Sequence, residues 1–107
     1  MLYRIFYSAN KERRKTEEQR LEKFGSAVIP IGTIGCYFVD FDVAEEIAEE
    51  LNEAHKEDGV EYEVIIAKKL TENDVDKELL IYTFDDYDKF CERKYNHLKE
   101  TENKLSL

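Results

Sequence analysis

Residues 36–66, CYFVDFDVAEEIAEELNEAHKEDGVEYEVII, decide the fold of this chain. Tyr37, Val39 and Phe41 alternate with Phe38 and Asp40, as in a strand with one face buried. Asp42 then predicts a helix N-cap, with Glu45 three residues later completing a capping box. Val43, Ala44, Ile47, Ala48, Leu51 and Ala54 recur at the three- and four-residue spacing of a single buried helix face. This helix is expected to run to about Lys56 and to stop before Asp58-Gly59. Val60 to Lys69 reads as the next strand, with Tyr62, Val64 and Ile66 on one face and Glu61 and Glu63 on a wet one.

The same stretch concentrates the charge. Asp40 to Glu63 holds eleven acidic residues and one basic residue, Lys56. Its local charge of −10 exceeds the net −9 of the chain, so everything outside nearly cancels.

Upstream, Ser26 to Asp40 (SAVIPIGTIGCYFVD) places Gly32-Thr33 between two apolar runs, which predicts a two-residue hairpin loop. Pro30 cannot donate a ladder hydrogen bond, so the first arm is expected at a sheet edge. Asn10 to Phe24 (NKERRKTEEQRLEKF) is strongly polar, ends at Gly25, and reads as a helix with a mobile first half or as a long loop. Its only large apolar residues are Leu21 and Phe24. Leu2 to Ser8 suits a strand with Tyr3, Ile5 and Tyr7 on one side and Leu2, Arg4 and Phe6 on the other.

Downstream, 70–78 is a polar connection and LLIYTF (79–84) a further strand. Asp85 is expected to cap a last helix whose face carries Tyr87, Phe90, Cys91, Lys94 and Leu98, with fraying from Thr101. Phe41-Asp42 and Phe84-Asp85 echo each other at an offset near 43: a strand ending in Phe, an Asp cap, a helix folding back. Two such units side by side suggest an antiparallel sheet with two helices on one face. The fold class expected is α+β, a mainly antiparallel sheet of four to five strands in a single domain, 1–107.

A 42% hydrophobic content with seven Tyr and six Phe supports a folded core rather than a disordered acidic tail. A pI near 4.7 argues against direct nucleic-acid binding and favours basic partners. Cys36 and Cys91 read as buried free thiols. Met1 to Ser8 lacks the charged start and apolar centre of a signal peptide, and the apolar run 27–39 is broken by Pro30, Gly32 and Gly35. The reading is a soluble cytoplasmic protein with no membrane partner.

Enzyme signatures are absent. GTIG (32–35) lacks the spacing and the strand-to-helix context of a phosphate loop. His55 and His97 each fall late in a helix, where a histidine serves as a helix-end partner. TENDVDKE (71–78) lacks the central Gly of a calcium loop, and helix capping accounts for Asp85, Asp86 and Asp88. No catalytic residue, cofactor or metal is therefore expected.

The acidic helix is different, because it carries a local cost. Glu45/Glu49, Glu46/Glu50, Glu49/Glu53 and Glu53/Glu57 are like-charge pairs four residues apart. Together they cost on the order of 1–2 kcal/mol, less at physiological salt. The bland reading is a solvated face. The functional one is a partner-binding surface formed by Glu45, Glu46, Glu49, Glu50, Glu53, Glu57, Glu61 and Glu63. Carboxylates four apart on a helix are separated by roughly 6 Å along its axis, comparable to phosphate spacing, so mimicry of DNA or RNA fits this geometry.

The run YFVDFDVAEEIAEELNEAHKEDGVEYEVI, Tyr37 to Ile65, resembles units of small acidic α+β open reading frames of bacteriophages. That resemblance covers about a quarter of the chain and is structural rather than catalytic. It implies a protein that binds and inhibits or regulates a host protein, here a basic and nucleic-acid-handling one. The alternatives are a module that self-associates as a homodimer through exposed aromatics, and an enzyme of unrecognised type.

Overall fold

The computed structural model describes the backbone of residues 1–105 and the side chains of residues 1–98. Five strands and three helices follow in the order β1 (Leu2–Ala9), α1 (Lys11–Phe24), β2 (Ile31–Thr33), β3 (Tyr37–Phe38), α2 (Phe41–Ala54), β4 (Val60–Ala67), β5 (Leu80–Ile81) and α3 (Phe84–Leu105). The fold is α+β, as the sequence predicts. The backbone of α3 is helical to Leu105, past the Thr101 from which fraying is expected, and the side chains there lie outside the described residues.

β1 is the centre of the sheet. Along one edge it pairs antiparallel with β4 over its whole length, from Leu2↔Ala67 to Ala9↔Val60. Along the other it pairs antiparallel with β2 near its end (Tyr7↔Gly32) and with β3 near its start (Tyr3↔Phe38). β5 then adds parallel to β3, through Tyr37↔Leu80 and Phe38↔Ile81. These partners are 43 residues apart, the offset of the Phe-Asp echo, so the two strand–helix units do lie side by side. They run parallel, not antiparallel, because each strand hands its chain to a helix that crosses back over the same face.

The alternation read in β1 holds. Tyr3, Ile5 and Tyr7 stand opposite Ile66, Val64 and Tyr62 and share their face. On that face Ile5, Phe38 and Ile81 pack against Ala44, Ile47 and Ala48 of α2, with Tyr87 and Phe90 of α3 closing the side. Each fully buried large apolar side chain there contributes roughly 1.5–3 kcal/mol. The two buried alanines of α2, Ala44 and Ala48, let the helix lie close to the sheet, whereas Ala54, expected on the same stripe, is exposed. The burial of α2 runs from Val43 to Leu51, whereas α3 only half-buries Tyr87 and Phe90 and leaves Phe84, Tyr95 and Leu98 exposed.

The predicted Gly32-Thr33 hairpin is not formed. Both residues lie within β2, paired with Tyr7 and Phe6, and the chain reverses at 34–36, where Gly35 has φ 91°. Glycine is favoured at 32 for another reason: a Cβ there would stand 3.0 Å from the Tyr7 hydroxyl, so the ring would have to shift to admit a side chain. Two further corrections concern caps. Asp40, not Asp42, caps α2, its carboxylate accepting from the backbone N–H groups of Asp42 (2.8 Å) and Val43 (3.4 Å). Thr83 and Asp86, not Asp85, cap α3 reciprocally: Asp86 accepts from the Thr83 N–H and Thr83 Oγ1 from the Asp86 N–H. The strand expected over 79–84 shrinks to Leu80–Ile81 as a result. Cys36 is buried but Cys91 is exposed, since α3 has already begun to leave the core there; both are free thiols.

α1 is a helix, held by polar contacts rather than by an apolar face. Leu21 and Phe24 are exposed, and the buried residue is Glu17, 2% accessible. Its carboxylate accepts from the Val28 N–H (3.0 Å) and pairs with Arg13 (3.2 Å) and Arg20 (3.6 Å). The start of α1 is pinned to the α2–β4 turn: Asn10 N–H donates to the Gly59 carbonyl (2.9 Å) and Arg13 Nη1 to the Asp58 carbonyl (2.6 Å). Gly59 is needed twice over, having φ 71° and Arg13 Cβ at 2.7 Å from where its own Cβ would stand.

Candidate protein-binding surface

Asp40 and the apolar stripe together set the rotation of α2. With Ala44, Ile47 and Ala48 turned to the sheet, Glu45, Glu46, Glu49, Glu50 and Glu53 are left exposed. None of them makes an ion pair among the described residues, where the charge pairs involve Glu17, Asp58 and Asp85 instead. The like-charge cost of the helix is thus not recovered by neighbouring cations.

The eight glutamates do not form one ridge. Glu46, Glu50 and Glu53 face solvent, and Glu57 lies in the short turn of 3-10 helix (Lys56–Asp58) after α2. Glu61 and Glu63 stand opposite Ser8 and Phe6, on the sheet face away from α2. Glu45 and Glu49 meet Glu63 at the border between the faces. There a groove of about 300 Å³ runs between α2 and β4, lined by Phe41, Glu45, Glu49, Asn52, Glu63 and Val64 among others. Carboxylates therefore flank the outer edge of β4 from both sides.

Asn52 is the residue that sequence reading missed. It follows Ala48 by one turn on the buried stripe, a polar residue where an apolar one would continue the pattern. Its side-chain amide donates to the Tyr62 carbonyl (2.9 Å), and its carbonyl oxygen accepts from the Tyr62 N–H (2.7 Å). These are the two bonds a neighbouring strand would make, and they fix α2 to the strand edge.

Elsewhere the titratable groups are accounted for by structure. His55 ends α2, with Nδ1 at 2.8 Å from an Asp58 carboxylate oxygen and its ring beside Tyr62. His97 lies on the exposed part of α3. Burial pushes the Cys36 thiol up to about 12, so it stays neutral and unreactive. The Val28 N–H, more than its two arginines, holds Glu17 below the ordinary carboxylate range against the opposing effect of burial. Backbone N–H groups of Thr71 and Tyr82 do the same for Asp74 and Asp86. Among the described residues, no cluster of three or more His, Cys, Asp or Glu could hold a metal ion. No helix among them is long and apolar enough to cross a membrane.

Comparison of the chain with protein-family models, with curated proteins and with solved structures finds no match.

Proposed function

We propose that this protein is a non-enzymatic binding module that presents the acidic surface of α2 and β4 to a basic partner protein. The observation that carries this reading is the set of exposed glutamates on α2, spaced four residues apart at a cost and making no ion pair among the described residues. A helix shaped by stability alone would alternate Glu with Lys. Surfaces of one sign accelerate encounter with the opposite sign and make binding salt-sensitive. A basic protein that handles nucleic acid in the cytoplasm, inhibited or regulated in the manner of the small phage proteins the sequence resembles, fits that chemistry.

The test is a tagged pull-down from bacterial lysate at low and high salt, with E46Q/E49Q/E50Q/E53Q as control. A basic protein retained by the wild type and lost with salt or with the variant supports the reading. Equal recovery by both proteins retires it.

A second reading has its own observation. Leu21, Phe24, Val28, Ile29 and Ile31 are all exposed around the end of α1 and the start of β2, between 49% and 70% accessible. Apolar exposure of this kind suits self-association. Light scattering after size-exclusion chromatography at two salt concentrations separates the two readings, because a dimer made this way is insensitive to salt.

A further inference from the structure

The partner segment can be specified further from the edge of β4; the inference rests on the acidic-surface reading and deepens it. In an antiparallel pair, successive residues alternate between bonding their partner strand and pointing their backbone groups away from it. Both backbone groups of Tyr62 are bonded by Asn52, so Tyr62 points away from β1. On the other side of the same pair, Ile5 and Ala9 spend their backbone groups on Ile34 and Pro30, which agrees with this phase. Val64 and Ile66, opposite Ile5 and Tyr3, therefore also point outward.

Their fates differ along the edge. Tyr62 is closed by Asn52. The Ile66 carbonyl accepts from the Lys68 N–H at 3.1 Å. Between them, the N–H and C=O of Val64, which lines the groove, and the N–H of Ile66, next along the same edge, have no protein partner among the described residues. An unpaired strand edge of this kind is a template for another strand. A protein that only needed to blunt it would place Lys or Pro there, or extend the Asn52 device by one turn. Here the positions one turn and two turns before Asn52 are Glu49 and Glu45 instead.

We infer that an extended basic segment of a partner adds to the sheet as a new strand beside β4, alongside Val64 and Ile66. Alternate side chains of such a strand point to opposite faces. Those on the helix side reach Glu45 and Glu49 and lie against Phe41; those on the other side reach Glu63. Backbone bonds supply sequence-independent affinity, and the flanking carboxylates select for Lys or Arg on either face of the added strand.

The probe is a capped peptide of alternating lysine and valine, titrated into isotope-labelled wild-type protein and followed by NMR. A second peptide of the same sequence carries N-methyl groups on alternate residues, which keeps its charge and removes backbone donors. Expected are slowed hydrogen exchange at the Val64 and Ile66 amides, and binding weakened about tenfold or more by N-methylation. E45Q/E49Q/E63Q, with an unchanged circular dichroism spectrum, should weaken binding of the first peptide and flatten its salt dependence. If both peptides bind equally and exchange at Val64 and Ile66 is unchanged, strand addition is overturned while an acidic binding surface stands. If neither peptide binds yet a folded basic protein is retained in the pull-down, strand addition again fails alone. Failure of peptide and pull-down together sinks both readings.

Discussion

α1 and α2 are each 14 residues long and rich in glutamate, yet they use charge in opposite ways. α1 has no buried apolar face; a single buried carboxylate, Glu17, ties it to the 26–30 loop and gathers two arginines. α2 is anchored by Ala44, Ile47 and Ala48, and every glutamate it carries is exposed and makes no ion pair among the described residues. Charge in α1 is part of the fold. Charge in α2 is left over by the fold, and so is open to use.

The sharpest way to break this comparison is to remove one anchor from each helix. Ile47→Ala empties a fully buried site and is expected to cost about 2–5 kcal/mol by chemical denaturation. Glu17→Ala should lower Tm by several degrees, because Val28 loses its acceptor and Arg13 and Arg20 lose a shared partner. An unchanged Tm would mean that α1 is held by something other than its clasp.

Acid sharpens the contrast. Glu17, Asp74 and Asp86 all sit below their ordinary carboxylate range in the folded state. Their contribution is complete above the unfolded values, near pH 4, and is lost as pH falls through the lower folded values. Tm should therefore fall below about pH 4, and Glu17→Gln should lose less over that interval than the wild type. The smallest effect belongs to α2: E46Q/E49Q/E50Q/E53Q is expected to leave the fold intact and to raise stability by up to about 1–2 kcal/mol at low salt, less at high salt. Unfolding of that variant would show that the acids have structural partners.

What the sequence made legible follows the range of the interaction. The stripe of α2 and the alternation of β1 and β4 are periodic over many residues, and both appear in the structure, except that the stripe ends at Leu51 and leaves Ala54 exposed. The caps were misplaced by two residues because Asp40 and Asp42 are equally good capping residues, and only backbone conformation chooses between them. Gly32-Thr33 carries the local chemistry of a hairpin, but the Tyr7 ring across the sheet claims that glycine for a strand. The glutamates were nameable as a set, whereas their division between two sheet faces needed the pairing of β4 with β1. Asn52 was invisible as an edge residue for the same reason: nothing near it in sequence says where the sheet ends.

The central position of β1 has a consequence for how the chain is made. Leu2 pairs with Ala67, 65 residues downstream, so on a ribosome the strand waits for its longest neighbour. At about 5–20 residues per second that wait is roughly 3–13 s. During it LYRIFYSA is a bare β-forming segment with one charge in its middle. That charge is Arg4, whose Nη2 donates to Thr33 Oγ1 (2.7 Å) and whose guanidinium lies 4.6 Å from the centre of the Tyr37 ring, while its Nε is buried with no hydrogen-bond partner among the described residues. An arginine that fits imperfectly in the finished sheet is well placed to keep nascent copies apart. Arg4→Val should accordingly lower the yield of soluble protein during synthesis more than it lowers the Tm of what has folded, and the reverse ranking would assign Arg4 to the finished sheet alone.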